Sequence, residues 1–84
     1  MEYGIYVNVT QKNDLLVAGI IENDIDWLTS LSVDSSSPRG LARRVASALR
    51  QHVVLRGDVC VTGDVSDSTL KLVKQSTIDE GFAA

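Results

Sequence analysis

A single cysteine, Cys60, leaves no internal disulfide to staple the fold and suits a reducing compartment. With one histidine besides, His52, there are too few soft ligands for a four-coordinate zinc site. No apolar run approaches the roughly 18 residues needed to cross a bilayer. The opening Met1-Glu2-Tyr3 carries an acid and runs straight into strand-like sequence, so a secretory signal is not expected and a cytoplasmic location is. Asn8-Val9-Thr10 therefore reads as a chance match to a glycosylation acceptor. Only two tyrosines, one tryptophan and one phenylalanine are present, few for stacking on nucleic-acid bases. Glycine-rich phosphate loops and calcium-loop spacing are missing as well. Thr62-Gly63-Asp64 lacks the lysine of a phosphate loop, and Arg56-Gly57-Asp58 is turn sequence.

What is present is enough for one domain over residues 1–84, with 44% hydrophobic residues and a net charge of −3. The charge is segregated. Residues 1–37 carry six acids and one lysine, residues 38–56 five arginines and no acid, and residues 57–84 five acids and two lysines. The basic charge thus falls on Ser37–Gln51, the one segment whose secondary structure is plain, and on its exit at Arg56. Ser37 is placed to cap a helix and Pro38 to occupy its first turn, where a missing N–H costs nothing. Leu41, Val45, Ala48 and Leu49 gather on one face, with Ala42 and Ala46 beside them. Arg39, Arg43, Arg44, Ser47, Arg50 and Gln51 fall on the other.

Ahead of this helix, Tyr3–Thr10 alternates with Tyr3, Ile5, Val7 and Val9 on one face, as a half-buried strand does. Gln11–Asp14 is turn sequence. Leu15–Ile21 is apolar on both faces and is expected inside a sheet, with Gly19 marking a bulge or a close approach of the helix. Ile25–Val33 alternates as a third strand, with a short helix at Asp24–Leu28 as the rival. After the helix, residues 53–62 read either as a hairpin about Gly57-Asp58 or as a connection followed by a strand at Val59–Thr62. Gly63–Asp67 reads as loop. Residues 68–75 suit a helix capped by Asp67, with Leu70, Val73 and Thr77 on one face, or a strand. The last five or so residues are expected to fray. The fold class is α+β, or small α/β: an antiparallel three-stranded meander, one amphipathic helix across it, and one to three further short elements in a β-β-β-α-β order.

Among residues that could do chemistry, His52 has no marked nucleophile or orienting acid and reads as a helix C-terminal residue. Cys60, between Val59 and Val61, reads as a small hydrophobe with acids nearby. Asp24/Asp26 and Asp58/Asp64/Asp67 favour turns and lack a metal-loop pattern. No catalytic residue, metal or cofactor is expected.

The order of three strands, a helix and Val59–Ser68 resembles a truncated ribonuclease-H-like core. Such nucleases hold two metal ions with acids from the first strand, the first helix and the end of the fourth strand. Asp64 alone stands at a comparable place; Asn8 occupies the first strand, and Arg43 and Arg44 the helix. Without those carboxylates two-metal hydrolysis is not implied.

The residues singled out for partner binding are therefore Arg39, Arg43, Arg44 and Arg50 on the helix, with the acidic loops around Asp24, Asp26, Asp64 and Asp67 as the other contact. Arginine is favoured at interfaces, and the acidic flanks suit a protein partner better than nucleic acid. In size and composition the chain is similar to small phage- or mobile-element-encoded inhibitors, anti-CRISPR proteins among them. The expected function is a non-enzymatic, stoichiometric protein-binding module. The alternatives are a nucleic-acid-associated domain using the arginine helix and a degenerate ribonuclease-H-like domain. Homodimerisation through an edge strand or the Trp27 region is a further expectation.

Overall fold

Alternation of apolar and polar residues sorts the first strand onto two faces, and the rest of the fold is layered on that division. The computed structural model describes residues 4–22, 26–52 and 58–84, with backbone alone for residues 26–28 and 52. Six elements follow in order: β1 (Ile5–Lys12), β2 (Leu15–Glu22), β3 (Asp26–Asp34), α1 (Pro38–His52), β4 (Val59–Asp64) and α2 (Asp67–Asp79). The sheet has the order β3-β2-β1-β4. Strands β1, β2 and β3 form the antiparallel meander, and β4 lies parallel to β1, which the intervening α1 makes feasible. The domain is a four-stranded mixed sheet with a layer of two helices, an α+β fold.

The β1–β2 hairpin turns at Asn13-Asp14, tighter than the four-residue turn read from sequence, because β1 pairs as far as Lys12 with Leu15. Asn13 takes a left-handed backbone (φ 55°), a conformation its short amide side chain tolerates. The third segment is strand over Asp26–Asp34, so the short helix at 24–28 does not form over its described part, and residues 24 and 25 lie outside the described residues. The register irregularity lies between Ile20 and Ile21, where the partner skips from Thr29 to Trp27. The bulge is thus one residue beyond Gly19.

Ile5, Val7 and Val9 of β1, Leu16, Ala18 and Ile20 of β2, and Val59 of β4 face the helices. They meet Leu41, Ala42, Val45, Ala48 and Leu49 of α1 and Val73 of α2 in one buried cluster. Eight of these residues, among them Ile20, Leu41 and Leu49, have no exposed surface. At roughly 1.5–3 kcal/mol for each large side chain buried, this cluster is the main source of stability. The alternate residues Asn8, Thr10, Lys12, Val17 and Ser30 line a shallow depression with Gly19 on the opposite face. Gly19 therefore lies away from the helices, and no helix approaches it.

Beyond α1 the described chain resumes at Asp58, and residues 53–57 lie outside the described residues, as do the expected strand Val53–Arg56 and Gly57 of its turn. Val59–Asp64 pairs with β1, so the strand at Val59–Thr62 that both readings share is present. Gly63 and Asp64, read as loop, belong to β4; only Val65 and Ser66 separate it from α2. Residues 68–75 are helical. The cap is Ser66 rather than Asp67: its hydroxyl oxygen accepts from the Thr69 amide at 3.4 Å. The buried face comprises Thr69, Val73 and Thr77, with the Thr77 hydroxyl donating to the Val73 carbonyl at 2.8 Å.

The end of α2 is a Schellman motif. Gly81 (φ 96°) donates to Ile78 at 2.9 Å and Phe82 to Thr77 at 3.3 Å. This reversal, at the end for which the sequence suggests fraying, delivers Phe82 into the core at 3% exposure. It also sets the Ala83 carbonyl to accept from the Val59 amide at 2.7 Å, a parallel bridge on the outer edge of β4. No helix among the described residues is long and apolar enough to cross a membrane.

Candidate functional site

The site follows from how α1 starts and which side of it is left uncovered. Asp34, the last residue of β3, accepts from the Ser36 amide at 2.9 Å and the Ser36 hydroxyl at 2.7 Å. Its carbonyl accepts from Ser37 at 2.9 Å, and the Ser37 carbonyl takes the first helical bond from Leu41 at 3.1 Å. The backbone bond from Ser36, reinforced by the one from its hydroxyl, holds the Asp34 carboxyl below its ordinary 3.8. A three-residue turn thereby fixes the entry of α1. The helix is then held by Leu41, Val45, Ala48 and Leu49 against β2 and β3 on one side and by α2 on another.

Arg39, Arg43, Arg44 and Arg50 are all exposed. The structure does not treat them alike. Arg50 Nε lies 3.6 Å from Glu80 Oε1, just past the end of α2. Arg43, Ala46 and Arg50 form one wall of a shallow cleft, and Ser76, Asp79 and Glu80 form the other. Part of the arginine row is therefore turned towards carboxylates of the same chain. Arg39, Arg43 and Arg44 make no ion pair among the described residues. The external basic surface is the N-terminal two-thirds of α1, and its C-terminal end is joined to α2.

The acidic candidates are not brought together. Position 26 pairs with Glu22 at one end of the sheet, whereas Asp64 pairs with Thr10 at the other, on the opposite outer strand. Asp24 and the side chain of Asp26 lie outside the described residues. Asp64 and Asp67 are exposed on either side of the short β4–α2 connection. Among the described residues, no three of His, Cys, Asp and Glu converge on a common point suited to a metal ion. The element order behind the ribonuclease-H-like resemblance is present, with β4 parallel to β1. At the positions where that resemblance wants acids, Asn8 sits opposite Thr62, and α1 offers arginines; Asp64 stands alone. Cys60 is a half-buried free thiol, paired in register with Tyr6. The His52 side chain lies outside the described residues.

The sequence reading missed Ser76, Asp79 and Glu80 as neighbours of the arginines, and no local signal could have found them. Their proximity depends on α2 lying along α1, a contact between segments about 30 residues apart that periodicity does not encode. Compared with known proteins, the chain matches no protein-family model and none of the curated proteins.

Proposed function

We propose that this domain is a non-enzymatic binding module that docks the Arg39–Arg43–Arg44 side of α1 on an acidic surface of another protein. The observation that carries the reading is the contrast within one helix. Arg50 has a carboxylate partner within the chain, whereas three arginines on a braced helix have none among the described residues. Guanidinium groups are weakly hydrated and offer forked donors that match carboxylates, so a rigid row of them favours an acidic partner. The acidic segments on either side of α1 in sequence argue against nucleic acid, whose phosphates they would repel. Action would be stoichiometric, by occupying a partner's surface, as a small phage- or mobile-element-type inhibitor of a host complex does.

The test is paired charge reversal. Arg43→Glu with Arg44→Glu is expected to abolish capture of the partner from host lysate while leaving the circular dichroism spectrum and melting temperature near those of the parent. Capture unchanged by the reversal would remove the α1 surface as the contact. Captured material that is nucleic acid, with affinity falling steeply as salt rises, would instead favour phosphate binding.

A further inference from the structure

The two edges of the sheet are finished differently. On the β4 side the chain's own end covers the strand's start, through the Asp58–Ala83 bridge and the Val59 amide bonded to the Ala83 carbonyl. On the β3 side no strand among the described residues pairs with the outer backbone. The bond from the Ser35 amide to the Asp14 carbonyl (2.8 Å) sets the phase of the β2–β3 ladder. With position 35 turned inward, alternation turns 33, 31 and 29 inward too, and the N–H and C=O of Ser30 and Ser32 point away from the sheet. Neither residue has a backbone partner among the described residues. Strand β3 has no lysine, arginine or proline between Asp26 and Asp34, and its aspartates and its irregularity beside Thr29 leave the stretch Thr29–Val33 regular and uncharged.

We infer that this edge is the seat of a second copy of the chain, joined β3 to β3 in antiparallel fashion about a two-fold axis at Leu31. The choice of occupant comes from register. With the axis at Leu31, Ser30 of each copy faces Ser32 of the other, and their outward amides and carbonyls all find partners. Leu31, partly buried against the core, then meets its own counterpart on the helix-bearing face, and Thr29 meets Val33. An axis at Ser30 would instead set position 26 against position 34, both aspartates, and directly opposed like charges are unfavourable. An axis at Ser32 would bring Ser30 to Asp34, whose carbonyl already accepts from Ser37. The edge is thus complementary to itself in one register, and the two sheets become a single eight-stranded one. This surface is distinct from the arginine row, so it stands or falls independently of the proposed function.

The experiment is sedimentation of the purified chain over a concentration series to ~1 mM, with amide exchange read at both ends of it. The mass is expected to double from 9.1 kDa, and the Ser30 and Ser32 amides are expected to slow on concentration while the Val61 amide on the other edge does not. Ser32→Pro removes an outward N–H without touching the β2 ladder, so it is expected to give a monomer with an unchanged spectrum. In a Cys60→Ala background, Leu31→Cys is expected to form an intermolecular disulfide, since directly opposed residues of this kind lie about 4.5 Å apart at Cβ. A chain of 9.1 kDa throughout the series overturns the inference. So does a dimer in which the Ser30 and Ser32 amides exchange as fast as in the monomer, whether or not Ser32→Pro folds.

Discussion

Gly63 of β4 lies so close to Val9 of β1 that a Cβ at position 63 would strike the Val9 carbonyl oxygen, with the Val9 carbonyl carbon 2.8 Å away and its nitrogen 2.9 Å away. The backbone there has φ 156°, a region that L side chains avoid. The close pairing of β1 with β4 at this point thus depends on the absence of a side chain at position 63.

Gly63→Ala is therefore expected to destabilise the domain by about 3 kcal/mol or more, combining backbone strain with a clash that backbone atoms cannot relieve. Urea denaturation of the parent and the variant measures it; a loss below about 1 kcal/mol would show that β4 shifts freely against β1.

Phe82 closes the core from the far end of the chain. Replacing it with alanine empties a site only 3% exposed and should cost about 3–5 kcal/mol. The Val59 amide, bonded to Ala83, should lose protection from exchange in the same variant. A stable Phe82→Ala protein with Val59 still protected would mean that the Schellman turn alone holds the tail.

Ser66 caps α2 through a long bond to Thr69, and its hydroxyl also lies 3.0 Å from that of Thr69. Ser66→Ala should cost about 1 kcal/mol, and Ser66→Asp should restore most of it, because a carboxylate serves the same amides and suits the helix N-terminus. Thermal melts of the two variants separate a capping role from a packing one.

Asp34 ties acid stability to the entry of α1. Its folded carboxyl lies below 3.8 because Ser36 donates to the ionised form, first through its amide and then through its hydroxyl. A group held lower in the folded state stabilises the fold at pH above 3.8 and loses that contribution as pH falls through the folded value. Asp34→Asn should accordingly be less stable than the parent at neutral pH, with the difference shrinking on acidification below 3.8. Melting temperatures over a descending pH series would show it; parallel curves would exclude the Ser36 contacts as the cause.

The end of the sheet that carries Asp34 and Asp64, the arginine row and the outer edge of β3 are separate features, and the sequence revealed them unequally. The α1 boundaries and its two faces were legible, because Pro38, the Leu41–Val45–Ala48–Leu49 spacing and the arginines between them are local and periodic. The face of β1 bearing Ile5, Val7 and Val9 was legible for the same reason, and the apolar β2 announced its interior place. α2 was ambiguous because Leu70 and Leu72 fit a strand as well as a helix. Its true buried face uses two threonines, Thr69 and Thr77, which a hydrophobic pattern passes over. The turn at Gly81 carries a local signal in the sequence: a glycine just after a helix, followed by a large apolar residue.

By itself the sequence determined the elements whose stabilising partners lie within a turn or two of one another: the meander strands, the amphipathic helix and the segregation of charge. Only the tertiary structure decided that β4 lies parallel beside β1, that Arg50 meets Glu80 while Arg39 and Arg44 do not, and that the chain's end shields the β4 edge of the sheet. Those outcomes rest on contacts between residues tens of positions apart. Which of the competing long-range pairings forms is settled by packing in three dimensions and leaves no periodic trace along the chain.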